Sequence, residues 1–106
     1  EAREPEVALA LLAPIVRQES DSARRAVLER RIREVIVERD LQTLERAVEK
    51  YREKTGSVPE NMTDLVREGI LERIPPEPNE GSYVIDRGGK VRSDRVTQRL
   101  QVFQNR

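Results

Sequence analysis

Five acidic residues in the second half of the chain could do acid–base chemistry, because they lie close to predicted loops. They are Glu68, Glu72, Glu77, Glu80 and Asp86. A carboxyl group catalyses proton transfer when burial or a neighbouring charge moves its pKa toward the working pH. Nothing in the sequence around these residues indicates such burial or a convergent pocket. We therefore predict no catalytic residues and no enzymatic activity.

Asp86, Ser93 and Asp94 offer oxygen atoms to a hard cation such as Ca²⁺. Such a cation takes about six to eight oxygen ligands, which is more than these side chains supply. We expect them to cap turns instead, and we predict no metal and no cofactor. The chain also has no cysteine and no histidine, which argues against disulfides, zinc sites and cysteine–histidine or serine–histidine catalysis.

A run of arginines in the first half of the chain resembles a phosphate-binding stripe. It comprises Arg24, Arg25, Arg30, Arg31 and Arg33. Glutamates interleave with these arginines, several at the i,i+4 spacing that supports a helix through ion pairs. The formal net charge is zero and aromatic residues make up only 3% of the chain. We therefore expect a solvated, salt-bridged face and no nucleic-acid partner.

Two helices are predicted to carry these charges. The first runs from about Pro5 to Gln18, with Val7, Leu11, Leu12, Ile15 and Val16 on a broad apolar face. Pro14 should kink or end it. Ser20, Asp21 and Ser22 then supply capping side chains for a long helix with no Gly or Pro before Gly56. In the alternative, Asp40 caps a separate third helix.

The apolar positions of the long helix change sides along its length. At about 100° per residue, one set faces one way and the other set faces nearly the opposite way. The first set, our candidate interaction residues, is Leu28, Ile32, Val35 and Ile36. It packs on the first helix as a helical hairpin or contacts a partner. The second set is Leu41, Leu44, Val48 and Tyr51, and it should hold the C-terminal segment.

After Gly56 the pattern changes to short elements. Asn61 is the expected N-cap of a two-turn helix, Met62 to Glu68, and Gly69 fits its left-handed C-terminal cap. Leu65 of this helix is an expected core residue. Pro75 to Pro78 should form an extended crossing segment. A β-hairpin, residues 82–86 and 90–93, is predicted to follow.

The hairpin should bring Tyr83 into the core, with the ring of Tyr83 packed on the long helix and the hydroxyl reaching solvent. A third strand at about residues 99–104 would complete the sheet, because a two-stranded ribbon alone is marginal. The tail also fits a helix. The predicted fold class is α+β: a helical hairpin with one long helix, then a short helix and a small antiparallel sheet of two or three strands. We expect two parts, residues 1–39 and residues 40–106.

From Asp40 to Ser93 the chain resembles the soluble domain of the type II secretion pseudopilins and related type IV pilin-like proteins. The matching residues are Ala47, Tyr51, Gly56, Pro59, Leu65, Val66, Gly69, Ile70, Pro75, Pro78, Gly81, Tyr83, Asp86, Gly89 and Val91. Val58 stands where that family usually has an aromatic residue, and Glu77-Pro78 replaces its Asp-Pro. The acidic calcium loop of the major pseudopilins has no counterpart after Ser93.

The N-terminal segment resembles the helical pairs of tetratricopeptide-type repeats. The pattern is Ala8-x-x-Leu11-Leu12-x-x-Ile15-Val16, a polar turn, and then Ala26-x-Leu28. The match spans less than one repeat. Together the two resemblances imply a pseudopilin-like head, residues 40–106, attached to a helical stalk.

These resemblances imply a non-enzymatic structural and assembly module of a bacterial envelope machine, such as a secretion or pilus-like system. The partners would be other proteins, either machine subunits or further copies of the chain, in the periplasm or cell envelope. One alternative is an adaptor that ends a tetratricopeptide-like array, in the cytoplasm or periplasm; a second is a small cation-binding domain. No apolar run approaches the ~20 residues of a membrane span, although an anchor upstream of Glu1 would be compatible with this.

Overall fold

The computed structural model describes residues 5–96, which form three helices and a two-stranded antiparallel sheet. The elements are α1 (Pro5–Gln18), α2 (Ser22–Thr55), α3 (Met62–Arg67), β1 (Tyr83–Ile85) and β2 (Val91–Ser93). This arrangement confirms the predicted α+β class. The described residues up to Arg39 form one compact unit, the N-terminal unit, and those from Asp40 onward form a second, the C-terminal unit. The third strand predicted near residues 99–104 lies outside the described residues.

Pro14 does not end α1, which continues to Gln18. A proline removes one backbone hydrogen bond, and this helix tolerates that loss. Residues 19–21 connect α1 to α2. There the Asp21 carboxylate accepts a hydrogen bond from the backbone N–H of Arg24 at 3.0 Å. This is the N-cap contact that the polar turn predicted.

The long helix is continuous. α2 has 34 residues, which corresponds to a length of about 51 Å at ~1.5 Å per residue. The alternative in which Asp40 begins a separate helix is therefore wrong. Asp40 lies inside α2 and its side chain is buried. The helix ends before Gly56, whose φ of 81° lies in the left-handed region.

Local hydrogen bonds fix both ends of α3. The Asn61 side chain accepts from the backbone N–H of Asp64 at 3.2 Å, and the Asp64 carboxylate accepts from the N–H of Glu60 at 3.0 Å. Gly69 has a φ of 77°, and its N–H donates to the carbonyl of Val66. The predicted N-cap and left-handed C-terminal cap are both confirmed, with the helix one residue shorter than expected.

The hairpin pairs Tyr83 with Ser93 and Ile85 with Val91. The Asp86 carboxylate closes its turn by accepting from the backbone N–H groups of Gly88 and Lys90, each at 2.9 Å. β1 is one residue shorter than predicted at each end, and β2 is one residue shorter at the end next to the turn. Asp86 therefore caps this turn, as expected from the sequence.

The core of the C-terminal unit joins the second half of α2, α3 and the hairpin. Most of the predicted core residues are buried, with Leu44 and Leu65 fully so. The buried members of that set are Leu41, Leu44, Val48, Leu65 and Tyr83. Tyr51 differs, because it remains half-buried. It lies in the last part of α2, close to the exposed residues 52–57.

Candidate functional site

One side of α1 exposes large apolar side chains. Val7 is 42% exposed, Leu11 65% and Ile15 49%. They are spaced four residues apart and therefore share one side of the helix, which we call the outer face of α1. Ala8 and Val16 are buried. The broad apolar face predicted for this helix is thus divided into a buried part and an exposed part.

The predicted interaction residues of α2 are less accessible than the outer face of α1. Leu28, Ile32 and Ile36 are half-buried, and Val35 is only 1% exposed. Val35 therefore cannot contact a separate partner in this structure. Its burial fits the intramolecular alternative, in which this part of α2 packs within the chain. Val27, which precedes Leu28 in α2, is instead 64% exposed.

The arginines of α2 take part in a charged surface. Arg24 approaches Glu19 and Asp21, Arg25 lies 3.6 Å from Glu29, and Arg31 lies 3.3 Å from Glu34. These pairs are exposed, and such pairs contribute little stability, typically ~0–1 kcal/mol. The salt-bridged face that the sequence predicted is present at these three arginines.

A buried hydrogen bond joins α2 to the hairpin. The Tyr83 hydroxyl donates to the Asp40 carboxylate at 2.7 Å, and both side chains are buried. The expectation that this hydroxyl reaches solvent was wrong. The reason is that Asp40, although charged, points from α2 into the C-terminal unit and offers the hydroxyl an acceptor there. A buried polar group needs such a partner, so the contact fixes β1 against the helix.

Glu77 is the other buried carboxylate that organises the C-terminal unit. One oxygen accepts hydrogen bonds from the backbone N–H groups of Asn79 and Gly81, the latter at 3.2 Å. The other accepts from the Asn79 side chain at 3.0 Å and from the Ser93 hydroxyl at 2.8 Å. Ser93 in turn accepts from the N–H groups of Arg95 and Val96. Glu77 therefore ties the 78–81 turn to the end of β2.

Nothing in the sequence indicates that any of the loop carboxylates is buried, but Glu77 is buried. Burial by itself raises the pKa of Glu77, but the hydrogen bonds from the Asn79 side chain, Ser93 and the two backbone N–H groups outweigh it and lower the pKa below its usual value. A general acid or base works best with a pKa near the working pH. This carboxylate stays ionised, and its oxygens are occupied by structural donors.

The possible cation ligands have structural roles as well. Asp94 accepts from the backbone N–H of Ser82 at 2.9 Å, Asp86 closes the hairpin turn, and Ser93 binds Glu77. Among residues 5–96 there is no group of three or more acidic side chains placed to hold a metal ion.

The C-terminal unit has an open groove beside the proline segment. It has a volume of about 320 Å³ and is lined in part by Met62, Ile74, Pro75 and Tyr83. A second groove of about 280 Å³ lies between Val58 and the hairpin turn at Arg87. Glu77, whose oxygens already accept the structural hydrogen bonds described above, also lines the first groove.

Sequence reasoning missed Glu77 and the Asp40–Tyr83 pair. Glu77 had a local signal, because Pro78-Asn79-Glu80-Gly81 is a turn sequence that directs backbone N–H groups at a preceding acidic side chain. The contact between Glu77 and Ser93 had no such local signal.

Within residues 5–96, no helix combines the length and apolar character needed to cross a membrane.

The chain matches no family model, no curated protein and no solved structure.

Proposed function

We propose that this chain is a non-enzymatic structural and assembly module that acts through protein–protein contacts. The outer face of α1 carries the proposal. Val7, Leu11 and Ile15 keep between 42% and 65% of their surface in water. Single exposed apolar residues are normal, but a row along one helix marks a contact surface. Covering such a row with another protein is favourable at about 25 cal/mol per Å² of apolar surface.

The character of the rest of the described surface favours proteins over other partners. Arg24, Arg25 and Arg31 of α2 pair with carboxylates of the same helix or of the preceding turn, and the formal net charge is zero. A nucleic acid or an acidic membrane would instead be attracted by an excess of basic residues. Glu77, the loop carboxylate with a shifted pKa, is held in its ionised form by structural hydrogen bonds.

The envelope setting of the proposal rests on the pseudopilin resemblance of residues 40–93. The second half of α2, α3 and the hairpin follow one another in the order expected of such a head. We therefore propose a secretion or pilus-like system, with machine subunits or further copies as partners, in the periplasm or cell envelope. The adaptor of a tetratricopeptide-like array is the second candidate, favoured by the short connection at residues 19–21 between α1 and α2.

A chromosomal replacement tests the proposed function. In the source bacterium, the Leu11→Glu/Ile15→Glu variant should accumulate normally, because both side chains are exposed. It should nevertheless fail to secrete or assemble the proteins that a deletion strain also fails to secrete or assemble, as measured by proteomics of the culture medium and envelope. Ile74→Glu is the matched control, since Ile74 is 41% exposed in the C-terminal unit. A double variant that behaves like the wild type would contradict the proposal.

A further inference from the structure

We infer that the Ser93 hydroxyl is a latch with two states, and that Glu77 controls it. In the closed state the hydroxyl donates to Glu77 and holds the backbone N–H groups of Arg95 and Val96. In the open state it has turned away from Glu77, and the two N–H groups have lost their acceptor. The latch lies within the C-terminal unit and does not depend on the outer face of α1.

The closed state uses every hydrogen-bonding capacity of the Ser93 hydroxyl. A serine hydroxyl has one hydrogen to donate and two lone pairs that accept. Ser93 donates to Glu77 at 2.8 Å, and it accepts from the N–H groups of Arg95 at 2.9 Å and Val96 at 3.0 Å. Because the hydrogen points at Glu77, both lone pairs are left to face the two N–H groups. The Glu77 carboxylate therefore fixes the orientation in which Ser93 can hold the backbone after β2.

Burial makes Ser93 depend on Glu77. Ser93 is 2% exposed and Glu77 is 6% exposed, so water has little access to the bond between them. A buried donor that loses its acceptor must find another, because leaving it unpaired is costly. The hydroxyl would then turn, and its lone pairs would turn with it. An ionised acceptor also gives a stronger hydrogen bond than a neutral one, so Glu77 is well suited to keep the latch closed.

The latch connects the groove beside the proline segment to the chain that follows β2. Glu77, Gly81 and Ser82 line that groove. Gly81 lies so close to the end of the hairpin that a Cβ atom at this position would overlap the side chains of Asp94 and Arg95. A displacement of this wall of the groove therefore moves Glu77 away from Ser93 and opens the latch.

Amide hydrogen exchange, measured by NMR on the full chain at neutral pH, tests this coupling. Glu77→Ala and Ser93→Ala should each speed the exchange of the Arg95 and Val96 N–H groups by about tenfold, as expected for the loss of one hydrogen bond. The double variant should exchange no faster than either single variant, because both changes open the same latch. Asn79→Ala is the matched control. It removes a different donor to the same Glu77 oxygen and should change these rates by less than about twofold.

The N–H of Lys90 is the internal reference, because it donates to Asp86 in the hairpin turn and takes no part in the latch. Its exchange should stay at the wild-type rate. Glu77→Gln weakens the acceptor without removing it; it should give a smaller, severalfold acceleration, and it carries the test if Glu77→Ala does not fold. Wild-type exchange at Arg95 and Val96 in the Glu77 variants, or equal acceleration at Lys90, would overturn the latch.

Discussion

Leu44→Asp is expected to unfold the C-terminal unit. Leu44 is fully buried at the centre of its core, so the substitution removes the packing of a leucine and buries a carboxylate without a partner. Loss of a buried leucine alone costs about 2–5 kcal/mol, and the buried charge adds to that cost. Small domains are stable by only ~5–15 kcal/mol. Circular dichroism with urea titration should therefore show a loss of most or all of the cooperative transition.

Lys50→Asp is the control for Leu44→Asp. Lys50 lies on the same helix and is exposed, so its replacement should change the free energy of unfolding by less than about 1 kcal/mol. Tyr51→Asp should fall between the two, because Tyr51 is half-buried. If Leu44→Asp unfolded at the same urea concentration as Lys50→Asp, the packing of α2 on α3 and the hairpin would be refuted.

Glu77→Ala is expected to give the second largest loss of stability, about 2–4 kcal/mol. It removes the acceptor for the Asn79 and Gly81 N–H groups, the Asn79 side chain and the Ser93 hydroxyl. Buried donors left without an acceptor cost about 1–3 kcal/mol each when water cannot replace it. Glu72→Ala, an exposed acidic residue of the same connecting segment, should change stability by less than about 0.5 kcal/mol.

The pH dependence of stability tests the charge state of Glu77. Because the pKa of Glu77 is lower in the folded chain than its usual value, the stabilising contribution is complete above the usual pKa of about 4.3. It is lost as the pH falls through the lowered pKa of the folded chain. Glu77→Gln should therefore be less stable than the wild type at pH 7, and the difference should shrink below about pH 4. A difference that stayed constant from pH 7 to pH 3 would refute the ionised, hydrogen-bonded carboxylate.

Local chemistry explains which elements could be predicted from the sequence. The caps of α3 at Asn61 and Gly69 and the hairpin turn at Asp86 depend on residues within a few positions of one another. The length of α2 followed from the absence of Gly and Pro before Gly56. The helical spacing of its apolar residues, which change sides along the helix, identified Leu41, Leu44 and Val48 as core residues.

The features that could not be predicted depend on residues distant in the sequence. Tyr83 and Asp40 are 43 positions apart, and Glu77 and Ser93 are 16 apart. A charged residue between apolar ones is usually solvated, so neither carboxylate indicated its own burial. The apolar pattern of α1 was also ambiguous, because a wide apolar face does not show which part of it another segment covers.

We propose that this chain meets other proteins at the outer face of α1. Photo-cross-linking in living cells tests it most directly, with a photoreactive amino acid placed at Leu11 and, for comparison, at the exposed Glu72. We expect discrete cross-linked products from Leu11 that are absent from Glu72 and are lost when Ile15→Glu is added. Equal cross-linking from both positions, or none from Leu11, would contradict it.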